Sequence, residues 1–217
     1  MSLTIAIDGP AGSGKGTITK ILAKKLNLIN IDTGAMYRCV ALEALNQDLK
    51  LEDTEKIIEI TKRIKIEFGN NEEVYLDGVD VTKAIREKRV TEIVSPISSI
   101  VEVRKELVKK QQEMAEGINV IMEGRDITTV VLPNATYKFY LDASLEERAQ
   151  RRFNQNKEAG IEMSLEDIKE SIKKRDYNDM NKKVGALKRT DEQIYVDTTN
   201  LTIDEVVKTI LENIKEQ

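Results

Sequence analysis

The feature that most constrains this chain is the stretch IAIDGPAGSGKGT at residues 5–17. A short apolar run leads into a glycine-rich segment, and apolar residues at helical spacing follow it, at Ile18, Ile21, Leu22 and Leu26. Glycine adopts backbone conformations that other residues disfavour, so such a segment can turn sharply between a buried strand and a helix. The stretch therefore predicts an α/β fold that begins with a strand, a loop and a helix.

The same loop is suited to hold phosphate groups. Its backbone N–H groups can surround a phosphate chain, the helix N-terminus adds partial positive charge, and Lys15 can reach the terminal phosphates. We therefore predict a nucleoside triphosphate site formed by Gly9, Pro10, Ala11, Gly12, Ser13, Gly14, Lys15, Gly16 and Thr17.

The loop departs from the strict phosphate-binding pattern at one position. Gly16 stands directly after the lysine, where the pattern has serine or threonine, and Thr17 carries the hydroxyl. Mg²⁺ usually keeps several water ligands, so we expect phosphate oxygens and water to hold most of its coordination sphere. We predict no metal site built from protein ligands.

Five short apolar runs predict the sheet. They lie at residues 3–7, 28–31, 119–122, 137–141 and 193–196, and helical patterns separate them. Near-continuous apolar runs suit strands covered on both faces, so we expect an α/β fold with a five-stranded parallel sheet and helices on both faces. An acidic residue follows each run: Asp8, Asp32, Glu123, Asp142 and Asp197. Ligands bind outside the carboxyl ends of parallel strands, although strand ends are also where polar residues simply resume.

Residues 64 to 92 break this alternation. IKIEF and EVYLDGVDVT alternate apolar and polar residues, and Asp77-Gly78 separates two such runs. An Asp-Gly pair between alternating runs is a strong signal for a two-residue hairpin. We therefore predict one domain of residues 1–217 that carries a small antiparallel β insertion.

Composition excludes several classes of protein. The chain has no histidine and one cysteine, Cys39, which excludes an internal disulfide, a histidine base and metal centres built on those residues. The net charge of −4 and the aromatic content of 4% argue against a nucleic-acid-binding module. No apolar run approaches the roughly 18 residues of a membrane span, and the N-terminus lacks a signal-peptide pattern, so we expect a cytoplasmic protein. Nothing in the sequence demands more than a monomer.

A second group of residues suits another phosphate. In the stretch IDTGAMYR, Asp32 and Thr33 precede a helix that carries Arg38 one turn further in. A hydroxyl, a helix N-terminus and a guanidinium favour an anion, although the same residues also suit an ordinary helix cap. Arg125, at the end of a neighbouring strand, would approach the same site. Two phosphate sites on one edge predict a donor and an acceptor.

Two clusters of charge lie later in the chain. One predicted helix carries Arg148, Arg151 and Arg152, and a second, starting near Ser164, is expected to carry Arg175, Asp179 and Lys182 on one face. Each cluster is also compatible with a solvated helix face.

The chain resembles the bacterial cytidylate kinases in GPAGSGKGT, DTGAMYR, EGRD and RDYNDMNK, in this order and across essentially its whole length. The resemblance implies a P-loop kinase that moves the γ-phosphoryl group of ATP, with Mg²⁺, onto the small molecules CMP and dCMP. It implies that residues 64–95 form an acceptor-nucleotide-binding insertion. It also implies that residues 148–182 form a helical lid over the donor phosphates.

The resemblance also assigns roles to individual residues. It implies that Lys15, Arg125 and Arg175 are catalytic and that Arg148, Arg151 and Arg152 close over the donor. Contacts to the acceptor phosphate would come from Thr33, Arg38 and Arg125, and contacts to the cytosine ring from Ser95, Arg104 and Asp126. Arg175 and Asp179 would lie near the acceptor's sugar and phosphate. The chain departs from the family pattern at three positions, with Lys182 for arginine, Thr128 for glycine and Asn178 for a basic residue.

The chemistry of Asp126 agrees with this reading. An ionised carboxylate only accepts hydrogen bonds, so it favours the exocyclic amino group of cytosine over the O4 of uracil. A kinase for UMP or another nucleotide is the nearest alternative. A P-loop switch protein without an acceptor is a more distant one, and it would have no second phosphate site.

Overall fold

The computed structural model describes residues 2–69, 73–158 and 160–215. The helices and strands follow in this order: β1 (Thr4–Asp8), α1 (Lys15–Leu26), β2 (Ile29–Asp32), α2 (Thr33–Asn46), α3 (Thr54–Arg63), β3 (Ile66–Phe68), β4 (Val74–Leu76), β5 (Val79–Asp80), α4 (Lys88–Ile97), α5 (Val101–Ala115), β6 (Val120–Gly124), β7 (Tyr137–Asp142), α6 (Leu145–Glu158), α7 (Leu165–Met180), β8 (Ile194–Asp197) and α8 (Ile203–Lys215). A 3-10 turn at Ala84–Arg86 and a π-helical turn at Ile127–Val131 complete the described elements. None of these helices is long and apolar enough to cross a membrane.

The main sheet has five parallel strands in the order β2-β6-β1-β7-β8. All five strands predicted from the apolar runs are therefore confirmed. Because β1 is the middle strand, the glycine-rich loop that follows it opens at the centre of the carboxyl edge. The strand-end acids lie along this same edge, at the last residue of four strands and one residue before the end of β6.

Helices cover both faces of the sheet. Side chains alternate along β1, where Ala6 joins the core beneath α2 to α5, and Ile5 and Ile7 join the core beneath α1 and α8. The predicted apolar face of α1 packs into the second core, where Ile18 and Leu22 are buried. This confirms the predicted layers.

The α6–α7 pair has a small core of its own. Ala149 of α6 and Ile168 and Ile172 of α7 form a buried cluster that is separate from the two main cores. Helix α7 starts near Ser164 as predicted, and Ser164 caps it, because the Asp167 N–H donates to Ser164 Oγ at 3.1 Å. The pair is therefore a compact unit beside the sheet edge.

The predicted insertion forms a three-stranded antiparallel sheet in the order β3-β4-β5. At its hairpin, Asp77 and Gly78 both have positive φ, 50° and 83°, which is the conformation that a two-residue turn of this kind requires. Asp77 also accepts a hydrogen bond from the Lys65 N–H at 2.7 Å. The apolar residues Ile66 and Leu76 of this sheet belong to the same core as α2.

Replacing Gly78 by alanine should destabilise the protein by about 1 kcal/mol, because a Cβ is disfavoured at positive φ. The free energy of unfolding, measured by urea titration, checks this. Val79→Ala is the matched control, since Val79 is 64% exposed in the same hairpin and should change stability by less than about 0.5 kcal/mol. Equal stability of Gly78→Ala and wild type would show that this turn tolerates a Cβ at position 78.

Candidate active site

The glycine-rich loop wraps tightly between β1 and α1. Gly9 has a φ of +154°, and a Cβ there would collide with the carbonyl oxygen of Leu141 in β7. Gly14 is the N-cap residue of α1 and has a φ of 90°. The Lys15 ammonium folds back into the loop and donates to the carbonyls of Gly9 and Pro10 at 2.8 and 2.7 Å. The lysine ammonium is therefore held inside the glycine-rich loop by the loop's own oxygen atoms.

Lys15 lies in a buried environment whose nearby carboxylates do not fully compensate its charge. Burial lowers the pKa of its ammonium well below the usual range, and the nearby Arg125 lowers it further. Glu123 counteracts this only in part, because burial and then Asp32 raise the pKa of the Glu123 carboxyl. An anionic ligand would restore the charge of Lys15.

The second group lies at the start of α2, as predicted. Asp32 caps this helix, since its Oδ1 accepts from the Ala35 N–H at 3.0 Å. The Thr33 hydroxyl donates to the Glu123 carbonyl at 2.7 Å, which ties the helix start to β6. Arg38 donates to Thr91 Oγ1 of α4 at 3.0 Å. The contact with α4 links the acceptor side of the site to the helix that follows the insertion.

Arginines from five parts of the chain converge on this region. The pKa of Arg175 falls to about 10, first because of burial and then because of Arg125, with Arg38 and Arg152 acting in the same direction. Burial likewise lowers the pKa of Arg38. Asp32 opposes this shift, and Arg86 is the first of the cations that add to it. Together with Lys15, these side chains form a cationic cluster: Arg38, Arg86, Arg125, Arg152 and Arg175.

Arg104 and Asp126 form a buried ion pair on the acceptor side. Arg104 of α5 donates to Asp126 Oδ2, and their side chains are 3% and 7% exposed. The Arg104 guanidinium also lies 5.5 Å from the ring centroid of Tyr37. Its Nε is buried and has no hydrogen-bond partner within the described residues. Ser95, the third residue predicted to read the base, lies half-buried in α4.

The segment after α7 covers this ion pair. The Gly185 carbonyl accepts from Arg104 Nη2 at 3.3 Å. Gly185 has a φ of +64°, and a Cβ there would collide with Asp126 Oδ2 and Arg104 Nη2. Only a glycine therefore lets the chain lie directly over the pair.

Asp179 joins three elements at the edge of the site. Its carboxylate accepts from Arg125 Nε at 2.7 Å and from Lys182 Nζ at 2.9 Å, and Lys182 also donates to Ser98 Oγ. Burial opposes ionisation, yet Arg125 and Lys182 hold the pKa of the Asp179 carboxyl well below its usual range. The predicted helix face was wrong for Lys182. Helix α7 ends at Met180, so Lys182 lies beyond the helix and reaches Asp179 from the following segment.

The Arg148 side chain is buried and bonded to the glycine-rich loop rather than exposed to solvent. Its Nη1 donates to the Ala11 carbonyl at 3.0 Å and to Asp176 Oδ2 at 2.5 Å, and its Nε donates to the Ala143 carbonyl at 3.0 Å. Asp176 in turn accepts from the Ala11 N–H at 3.2 Å. Both polar groups of the Ala11 peptide backbone are thus held by the α6–α7 pair.

The other two arginines of α6 differ from Arg148. Arg151 donates to Glu147 Oε1 at 2.9 Å and to the Thr198 carbonyl at 2.7 Å, which places it beside the end of β8. Arg152 is exposed. The predicted contacts of these arginines with donor phosphates stay predictions.

Three residues of the site were missed by sequence reasoning. Arg86 lies in the 3-10 turn after β5, 3.9 Å from Asp32, while Asp176 and Gly185 make the contacts described above. Asp176 is the second residue of the motif RDYNDMNK and lies about one helical turn before Asp179, and this position was the available sequence signal. Gly185 and Arg86 carry no comparable local signal.

The structure has a glycine-rich loop and a second, arginine-lined group of residues at the same edge of one parallel sheet. This combination defines the class of the P-loop kinases. The family model described as Cytidylate kinase matches residues 5–216, so the chain belongs to the cytidylate kinase family. A cytidylate kinase from Caldanaerobacter subterraneus subsp. tengcongensis is 49% identical over 215 residues, which cover 99% of this chain and 96% of the relative. One from Streptococcus suis is 47% identical over 219 residues, which cover 99% and 97%.

Solved structures agree on the fold. An uncharacterized protein from Eubacterium ventriosum matches with a TM-score of 0.56 at 10% identity and covers 100% of both chains. A shikimate kinase from Bacteroides thetaiotaomicron matches with a TM-score of 0.50 at 14% identity and covers 98% of both chains. At such identities the likeness concerns the fold alone.

Replacing Arg148 by alanine should destabilise the protein by about 3 kcal/mol, because it leaves Asp176 as an unpaired buried charge. The free energy of unfolding checks this. Arg152→Ala is the matched control on the same helix and should stay within about 0.5 kcal/mol of wild type. If both variants kept wild-type stability, Arg148 would not be a structural clamp of the loop.

Proposed function

We propose that this protein transfers the γ-phosphoryl group of ATP to CMP and dCMP, giving ADP and the corresponding cytidine diphosphate. The observation that carries the proposal is the cationic cluster around Lys15. Burial is the main reason why the pKa values of Lys15, Arg38 and Arg175 are low, and neighbouring cations add to it, so the nearby carboxylates do not fully compensate these charges. Two phosphorylated ligands meeting end to end would supply the missing negative charge.

The residues around Lys15 suit the chemistry of phosphoryl transfer. The transferred group passes through a loose, metaphosphate-like transition state, so positioning and positive charge contribute most of the catalysis. Lys15, Arg125 and Arg175 would neutralise the charge that develops on the transferred group. The acceptor is already a phosphate oxygen anion, so the reaction needs no strong general base. This agrees with a chain that has no histidine.

The acceptor phosphate would bind at the start of α2. The helix N-terminus and the guanidinium groups of Arg38 and Arg125 offer hydrogen bonds and positive charge there. The Thr33 hydroxyl would donate to the phosphate in place of the Glu123 carbonyl, to which it is bonded in this structure. Arg86 lies close enough to act on Arg38 and Asp32 electrostatically. It is therefore a further candidate for the same phosphate.

The cytosine ring would bind beside the Arg104–Asp126 pair. The Asp126 carboxylate can accept a hydrogen bond from the exocyclic amino group, whereas the O4 of uracil would oppose it. The unpartnered Nε of Arg104 offers a donor for an acceptor atom of the ring, since a buried donor without a partner is costly. These groups favour cytosine over uracil and so favour CMP over UMP.

The donor set of the site fits Mg²⁺ bound together with ATP. Within the described residues, no group of three or more acidic, cysteine or histidine side chains could hold a metal on its own. The carboxylates of Asp32 and Glu123 are close enough that Asp32 raises the pKa of Glu123. They would reach the ion through water, as Mg²⁺ prefers, and the ion would neutralise phosphate charge.

The α6–α7 pair would act as the lid. Its core is separate from the main cores, and its arginines lie beside the glycine-rich loop. Closure over the donor would exclude water, which otherwise accepts the phosphoryl group and hydrolyses ATP without product.

A mimic that joins adenosine and cytidine through several phosphates should raise the melting temperature far more than ADP or CMP alone at equal concentration. The two sites would bind the linked halves as one ligand, which removes the cost of a second association step. Thermal shift measurements check this. A gain no larger than that of ADP would favour a P-loop switch without an acceptor site.

Replacing Asp126 by asparagine should reduce the discrimination of CMP against UMP about tenfold, because the lost or opposed hydrogen bond is of the order of 1–3 kcal/mol. Coupled ADP release with CMP, dCMP, UMP and AMP as acceptors gives kcat/KM for each. The exposed Asp191→Asn is the control and should keep the wild-type ratio. Unchanged discrimination in Asp126→Asn would remove Asp126 from base recognition but leave the kinase assignment intact.

A further inference from the structure

The carboxylate of Asp8 links the donor loop to the acceptor loop. Asp8 ends β1, directly before the glycine-rich loop, and is fully buried. Its Oδ1 accepts from the Ile127 N–H at 2.8 Å, and its Oδ2 accepts from the Thr128 N–H at 2.9 Å. These N–H groups open the π-helical turn that directly follows Asp126, and they have no carbonyl partner within that turn. Asp8 therefore caps the turn from the neighbouring strand.

Thr128 adds a contact that glycine at this position would lack. Its hydroxyl donates to Asp8 Oδ2 at 2.6 Å and accepts from Gln193 Nε2 at 2.5 Å, and Thr128 is 3% exposed. A hydroxyl with its one proton donated and a lone pair engaged has a fixed orientation. Thr128 is thus a hydroxyl bridge between the Asp8 and Gln193 side chains.

Gln193 carries the connection to the segment that covers the base site. It stands directly before β8, and its Oε1 accepts from the Thr190 N–H at 2.7 Å. The same segment contains Gly185, whose carbonyl accepts from Arg104. The hydroxyl bridge therefore joins the end of β1, the loop that carries Asp126 and the chain that covers it.

The geometry points to Thr128 as a positioning residue. We propose that its bridge between Asp8 and Gln193 holds Asp126 at a fixed position relative to the glycine-rich loop. This fixed position increases the affinity for the acceptor base. The inference rests on the proposed function, because the proposed function assigns Asp126 to recognition of the acceptor base. The donor loop should be unaffected, since Arg148, Asp176 and the Lys15 ammonium hold it through separate contacts.

The test compares Thr128→Val, which keeps the shape but removes the hydroxyl, with Thr128→Ser, which keeps the hydroxyl. Thr128→Val should raise KM for CMP about five- to tenfold, should leave KM for ATP within about twofold and should weaken discrimination against UMP. Thr128→Ser should stay within about twofold of wild type in all three.

Thr61→Val is the matched control for a general loss of stability. Thr61 is fully buried in α3, and its hydroxyl donates to the Ile57 carbonyl at 2.8 Å, so the substitution removes a buried hydrogen bond far from the site. This variant should unfold more easily but keep both KM values. Gln193→Leu should act in the same direction as Thr128→Val, and the double variant should show less than the product of the two effects.

Amide hydrogen exchange provides a readout that does not depend on turnover. Exchange at residues 125–131 should accelerate in Thr128→Val and stay unchanged in Thr61→Val. Wild-type exchange at these amides together with an unchanged KM for CMP in Thr128→Val would overturn the inference. Equal increases of KM for CMP and ATP would also overturn it. A wild-type protein that does not phosphorylate CMP would instead contradict the proposed function, and the exchange measurement would still decide whether Thr128 fixes this loop.

Discussion

The site depends on how its buried positive charges are distributed between paired and unpaired groups. Burying a charge is costly unless a partner and hydrogen bonds compensate for it. Arg104 and Arg125 have such partners in Asp126 and Asp179, and these pairs fix the side chains in place. Arg175 lacks comparable compensation, which is why its pKa falls to about 10. The surplus of positive charge is therefore already in place before a ligand binds, which would suit the polyanionic substrates that we propose.

Two separate sets of contacts hold the glycine-rich loop and the turn after Asp126 in place. Arg148 and Asp176 bind the peptide groups of Ala11 in the glycine-rich loop, whereas Asp8 binds the N–H groups of the turn after Asp126. Both sets depend on β1, which supplies the loop from its end and the Asp8 carboxylate from its last residue. The central strand thus sets the separation between the groups that would hold the two substrates.

Sequence patterns predicted the fold well because its determinants are local. Apolar runs, a glycine-rich loop and one Asp-Gly turn each act over a few residues, and all five strands of the main sheet follow from them. The site was only partly predictable. Lys15 and three of the arginines, Arg38, Arg125 and Arg175, were found because their sequence motifs contain them. Two of the hydrogen-bond partners of Arg104, however, lie 22 and 81 residues away from it. No local pattern indicates that Gly185 covers this pair, or that Arg148 turns inward while Arg152 stays exposed.

The anchoring of α6 and α7 constrains any movement of this helix pair. Near the start of α6, Arg148 is bonded to the glycine-rich loop through Ala11, while at the end of α7, Asp179 is bonded to Arg125. The helices also share one small core, so they move together most easily. A rotation of the pair must therefore change contacts at both places. If the pair is the lid that we propose, its closure would respond to a ligand at either side, with the strongest response where both sites are filled.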